Sequence, residues 1–153
     1  IATLVLLLVI ANAAPVVSSL LLGTRWNRPL DGGLKLPDQR PLLGPSKTVR
    51  GVLASVLVTS LVASLFGLSA AAGAGFACLA MIGDISSSFI KRRLGIASSH
   101  SVPLLDQLPE SLLPLWLMQP VVGGTAAEIL AAAAIFTLVH LVLTGLYKPG
   151  QAH

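Results

Sequence analysis

Long apolar runs separated by short polar breaks dominate this chain. A helix that crosses a bilayer needs about 20 mostly apolar residues. Residues 1–22 meet that length, residues 51–68 follow without a single charge, and residues 70–90 form a third run interrupted by Asp84. Residues 111–122 are shorter and hold Pro114 and Pro120, which predicts a kinked segment or an earlier start. Residues 126–147 complete five. The first run lacks a basic leader and a clear cleavage site, so it reads as a span rather than a signal peptide.

The charges then orient the spans. Arg25, Arg28, Lys35, Arg40, Lys47 and Arg50 lie between spans 1 and 2, Lys91, Arg92 and Arg93 between spans 3 and 4, and Lys148 after span 5. All ten Lys and Arg thus fall on one side, and the connections near Ser69 and Gly123 have none. Basic residues mark the cytoplasmic side. The expected fold class is all-α: a polytopic membrane protein of five transmembrane helices with two basic cytoplasmic loops. Residues 1–153 form a single membrane-embedded domain in the cell or inner membrane, with the N-terminus outside. The net charge of +4 is this topology signal and calls for no nucleic-acid partner.

Composition agrees. The chain is 54% hydrophobic and 10% charged, against about 25% charged in soluble domains. That excludes an ordinary soluble enzyme, and the abundance of Leu, Ala and Val excludes disorder. The single cysteine, Cys78, cannot form an internal disulfide and reads as a small apolar helix residue. Three His and one Cys without paired spacing argue against zinc. Ala71, Gly73, Gly75 and the alanine run 131–134 suit close helix packing. The first cytoplasmic loop carries Pro29, Gly32, Gly33, Pro37, Pro41, Gly44 and Pro45, so it should be irregular but stiff, and could supply a lid or short helices.

A few polar residues stand where lipid should be. Asp84 precedes Lys91 by seven positions, roughly 10 Å along a helix. A carboxylate at that depth costs about 2.5–3.5 kcal/mol on insertion scales, so it should face a cavity or a cation. Asp84, Ser87, Ser88 and Lys91 share one helical face, although a buried ion pair alone would also account for it. Asn12 and Pro15 lie mid-span, where the proline frees a backbone carbonyl and the asparagine can bridge helices or reach a ligand. His140 reads as a packing residue, Glu128 as solvated near the outer surface, and Trp26, Trp116 and Tyr147 as interfacial anchors.

The basic loops suggest an anion site. Loop 1 ends Gly44-Pro45-Ser46-Lys47-Thr48-Val49-Arg50-Gly51, with Ser46 a candidate N-cap and free backbone N–H groups following it. The string lacks the first glycine of a P-loop and follows no strand. Contact with anionic lipid head groups would use the same residues. Beyond the Lys91–Arg93 cluster a second carboxylate, Asp106, returns to the membrane surface. Two carboxylates beside clustered cations suit Mg²⁺ with a polyphosphate, since magnesium takes one or two carboxylates and completes its shell with waters and phosphates. No Ser-His-Asp or Cys-His set favours acyl transfer. Phosphoryl and nucleotidyl transfer need mainly positioning and charge neutralisation. A lipid phosphate, with a second pKa of about 6, is already largely ionised and needs no general base.

Gly83-Asp84 with Ser88-Phe89-Ile90-Lys91-Arg92, then Leu105-Asp106-Gln107-Leu108, resembles the signature of phosphatidate cytidylyltransferases. The whole chain more closely resembles the small CDP-archaeol synthase family. The shared features are five spans, Asn12 and Pro15 in the first, the Gly44, Lys47, Thr48, Arg50, Gly51 string opening the second, and the Gly-Asp to Asp-Gln-Leu run. Where the larger phosphatidate enzymes carry a second terminal Asp, this chain has Pro109, with Glu110 beside it. The resemblance implies a membrane enzyme that joins CTP to a lipid phosphate, of the isoprenoid-ether glycerol phosphate type or a related one, giving CDP-lipid and pyrophosphate with Mg²⁺. It implies Asp84 and Asp106 as metal and catalytic carboxylates, with Lys91 and Arg92 as catalytic cations. Asn12, Lys47, Thr48, Arg50 and Ser88 would bind substrate. The expected site is a cytoplasm-facing polar cavity that opens sideways to membrane lipids. Two other readings stay open on the residues alone. One is a non-catalytic binder or transporter of phosphate-bearing lipids; the other is a packing subunit.

Overall fold

The computed structural model describes residues 1–98 and 100–146, the side chains of 144–146 excepted. Ser99, Tyr147 and Lys148 lie outside the described residues. Six helices follow one another: α1 (Ala2–Leu22), α2 (Val49–Leu65), α3 (Ala70–Arg93), α4 (Gln107–Leu117), α5 (Gln119–Val122) and α6 (Ala126–Leu146). Among the described residues the only β pairing is two isolated bridges, Pro29 with Thr48 and Lys35 with Pro41. The fold is therefore all-α. Three helices are long and apolar enough to cross a membrane, over Ala2–Leu22, Ala70–Arg93 and Ala126–Leu143, while α2 is a shorter apolar helix of 17 residues.

Some boundaries differ from the sequence expectation, each for a local reason. Helix α2 starts at Val49, and its N-cap is Thr48 rather than Ser46. Thr48 has extended backbone, and its Oγ1 accepts the Gly51 N–H at 3.1 Å. Lys91, Arg92 and Arg93 are not in the loop but in the last turn of α3, where cations meet the negative end of the helix dipole. The fourth segment starts at Gln107 and breaks at Met118. Pro120 causes the break, because it has no N–H to continue the ladder and its ring opposes the carbonyl four residues back. Loop 1 contains no helix. At the start of α6, Glu128 Oε2 accepts the Thr125 N–H at 2.8 Å while Thr125 Oγ1 accepts the Glu128 N–H at 3.3 Å. This reciprocal cap accounts for an acidic residue at that end.

The core gathers Leu4, Leu7, Leu8, Phe76, Leu115, Ile129 and Phe136 from four of the helices. Two glycines set the helix spacing. A Cβ on Gly73 would stand 2.6 Å from Ala63 Cβ and 2.7 Å from Ser60 Cα, and a Cβ on Gly83 would strike the Pro109 carbonyl. So α3 rests against α2 near its start and against α4 at its middle with backbone nearly touching. Pro15 leaves the Ala11 carbonyl without its helical donor. Ser55 of α2 fills that vacancy, its Oγ donating to Ala11 O at 2.7 Å in a fully buried bond.

Loop 1 is pinned rather than loose. Asp31 accepts the backbone N–H groups of Gly33, Leu43 and Gly44 at 2.9, 2.9 and 3.2 Å. Partial burial pushes the Asp31 carboxyl up, but the three amides together outweigh it and hold it below the usual carboxylate range. Arg93, which stacks over Phe89, donates to Asp38 and to the Pro41 carbonyl at 2.7 and 2.6 Å. These contacts dock the loop on the end of α3.

Candidate active site

The helices leave a polar cavity of about 500 Å³ lined by residues of α1, α2, α3, α4, α6 and both long loops. Two lysine–carboxylate pairs face each other across chain elements. Lys47, two residues before α2, donates to both oxygens of Asp84 at 2.7 and 2.6 Å. Lys91 Nζ stands 2.7 Å from Asp106 Oδ1, an ion-pair approach without hydrogen-bond alignment. Asp106 Oδ2 accepts the Val102 N–H at 2.9 Å, which folds its carboxylate back over loop 2. The four charges come from loop 1, the middle of α3, the end of α3 and the start of α4. Close packing of Gly83 against Pro109 brings the last two elements to this spot.

Seven of the sequence-selected residues line this cavity: Asp84, Asp106, Lys91, Asn12, Lys47, Thr48 and Arg50. Asn12 donates to the Leu8 carbonyl at 3.0 Å, which fixes its amide on the cavity wall. Arg50 is buried and donates to the carbonyls of Gly23 and Arg25, so it ties the end of α1 to the start of α2. The other two do not reach the cavity. Ser88 is buried in helix packing, and Arg92 turns to Ser98 Oγ close under Gly44, joining the two long loops.

The structure adds two residues that the sequence reading named without selecting for the site. Glu110 is only 3% exposed and lines the cavity, and its Oε1 has no hydrogen-bond partner. His140 Nδ1 is the nearest cation-capable atom, 3.6 Å away. His140 does pack, edge-on to Phe136 with centroids 5.9 Å apart, but it lines the cavity as well. The signal for Glu110 was available: it stands four residues after Asp106 and shares its helix face.

Asp84 and Asp106 suit magnesium by chemistry. Both present hard carboxylate oxygens to one cavity, and one of them, Asp106 Oδ1, is buried without a hydrogen-bond donor. Among the described residues no three His, Cys, Asp or Glu side chains converge as a cage. Any ion held here must therefore take much of its shell from water and phosphate, as magnesium does.

The chain is similar to known proteins over most of its length. Residues 1–147 match the CarS-like family, described as CDP-archaeol synthase. A CDP-archaeol synthase of Aeropyrum pernix is 40% identical over 140 residues, which cover 86% of this chain and 76% of that protein. One from Thermofilum pendens is 38% identical over 139 residues, 87% of this chain and 68% of the other. A solved structure of an intramembrane enzyme for archaeal membrane lipid biosynthesis superposes with a TM-score of 0.74 at 38% identity, covering 93% of this chain and 90% of that one. The apolar helices and this neighbour make the chain an integral membrane protein. With the match running over nearly its whole length, the chain belongs to the CDP-archaeol synthase family.

Proposed function

We infer that the chain transfers the cytidylyl group of CTP to a lipid phosphate, releasing pyrophosphate. The observation that carries this reading is the convergence of Asp84, Asp106, Lys47 and Lys91 on one cavity inside a membrane-embedded bundle. Membership of a family whose relatives are CDP-archaeol synthases supports it. The lipid acceptor is an isoprenoid-ether glycerol phosphate, the acceptor that a CDP-archaeol product requires.

The chemistry balances simply. One oxygen of the lipid phosphate attacks the α-phosphorus of CTP in line. A new P–O bond forms, the bond to the β-phosphate oxygen breaks, and pyrophosphate leaves. The attacking oxygen is already ionised near neutral pH, so no side chain has to remove a proton. Lys47 and Lys91 neutralise the charge that grows on the departing pyrophosphate. Each lysine is held by a carboxylate until phosphate arrives, then exchanges one anionic partner for another. Asp84 and Asp106 would hold Mg²⁺, which supplies charge stabilisation of the triphosphate. Asn12 and Thr48 shape the wall between α1 and α2, and Arg50 keeps that wall in place.

Both loops belong to one side of the membrane in this reading. Five spans, with α4 and α5 counted as one segment, and the segregation of Lys and Arg support an N-terminus outside and a cavity on the cytoplasmic side, where CTP is made. The test is pyrophosphate release by purified protein with Mg²⁺, crossing four nucleoside triphosphates with a diacyl and an isoprenoid-ether lipid phosphate. Release with CTP and the ether lipid, lost in Asp84→Asn, is expected. No release with any pair from folded protein would sink the reading and favour a binder of phosphate-bearing lipids.

A further inference from the structure

Beyond Pro15 the last two turns of α1 stand away from the bundle. Val16, Ser19, Leu20 and Leu21 are all exposed, Leu21 at 79%. Yet Val16 and Ser19 also line the polar cavity. A side chain does both only at an opening. On the α2 side Val52 is half-buried and lines the same cavity, while Gly51 is buried against Pro15 and the Ser55–Ala11 hydrogen bond closes the seam below. The cavity therefore opens at Val16 and Ser19, on the stretch of α1 between the Pro15–Gly51 contact and the 23–28 turn.

The chain turn at that mouth has an unusual build. Trp26 is 83% exposed and holds a left-handed backbone, φ 53°, which bulky residues avoid. Arg50 fixes the turn from inside through the Gly23 and Arg25 carbonyls. Asn27 lines the cavity at its rim, and it, Arg25 and Arg28 are all exposed. Neither guanidinium makes an ion pair or side-chain hydrogen bond among the described residues. An indole with two unpaired arginines at the end of an apolar helix matches the membrane interface, where rings sit at head-group level. Arginine forks fit phosphate.

We propose that the 23–28 turn loads the lipid substrate: Arg25 and Arg28 take its phosphate monoester at the interface, Trp26 packs on the adjoining chain, and the lipid enters past Val16 and Ser19. This rests on the cytidylyltransferase reading for the identity of the lipid. Bulk anionic lipid is a different occupant, since its phosphodiester carries one charge where the monoester approaches two.

Two measurements decide it. In a Trp116→Phe background Trp26 is the only tryptophan. In nanodiscs its fluorescence should be quenched more by a brominated lipid phosphate monoester than by a brominated phosphodiester at equal mole fraction. Arg25→Gln with Arg28→Gln should abolish the difference. In turnover assays each arginine substitution should raise the KM for lipid phosphate about fivefold, with kcat and the KM for CTP unchanged. Trp26→Phe should keep most of the function that Trp26→Ala loses. Equal quenching by both lipids, or an unchanged lipid KM in the double variant, overturns the proposal. Because the quenching arm needs no catalysis, it still decides the loading site if no turnover is found, an outcome that counts against the enzymatic reading alone.

Discussion

Lys47 Nζ bridges both carboxylate oxygens of Asp84, at 2.7 and 2.6 Å, across 37 positions of sequence. A lysine so placed occupies the carboxylate as an internal cation, and on the proposed reading it would turn to the triphosphate when Asp84 holds the metal. Lys47→Met should therefore lower kcat/KM for CTP by about 10- to 100-fold, the size of a lost hydrogen bond between charged groups at roughly 1.5–3 kcal/mol. The same variant should bind Mg²⁺ no more weakly than the parent when CTP is absent. Calorimetric titration with the metal alone, beside steady-state kinetics, reads both.

Removal of divalent cations should abolish pyrophosphate release, and Mg²⁺ should restore it, if Asp84 and Asp106 hold the ion. Asp106→Asn keeps the Val102 hydrogen bond possible but removes the charge opposite Lys91. It should raise the Mg²⁺ concentration needed for half-maximal rate and lower kcat. A variant with an unchanged Mg²⁺ requirement would take Asp106 out of the metal site.

The glycine contacts predict a graded stability series. Gly83→Ala would drive a methyl into the Pro109 backbone, and Gly73→Ala would crowd Ser60 and Ala63. Each should destabilise the detergent-solubilised protein by about 1–3 kcal/mol, the usual cost of overpacking. Gly75→Ala meets only the flexible end of Met118 at 3.5 Å and should be tolerated. Thermal unfolding of the three variants side by side checks the order.

Acid should loosen loop 1 before the helices. The Asp31 carboxyl is held below its ordinary value, so its contribution is fully present above the unfolded value of about 3.9 and is lost as pH falls through the folded one. Deuterium exchange at the Leu43 and Gly44 amides, corrected for intrinsic rate, should accelerate in that window. Asp31→Asn should show the faster exchange already at neutral pH.

Much of this was legible in the chain. Runs of apolar residues set the helices because a bilayer demands a fixed length, and the Gly83-Asp84 to Asp106 run marked the site because a carboxylate in lipid needs a reason. What sequence spacing could not settle was side-chain direction. Arg92 follows Lys91 directly, so the two point about 100° apart around α3. Lys91 reaches the cavity while Arg92 meets Ser98. Ser88 shares a nominal face with Asp84 but is covered by helix packing. Glu110 was named but not selected, although it stands four residues after Asp106; its burial, under α6 at His140, is a long-range contact. The cap at Thr48 in place of Ser46 depended on the Pro29–Thr48 bridge, which is equally non-local.

The most direct test is pyrophosphate release from CTP and an isoprenoid-ether glycerol phosphate by the purified wild type and its Asp84→Asn variant. Mg²⁺-dependent release by the wild type, lost by at least about 100-fold in a variant that still folds, is the expected result. Full turnover in Asp84→Asn, or no release by the wild type with any nucleotide and lipid phosphate, would contradict the assignment of this cavity as a cytidylyl-transfer site.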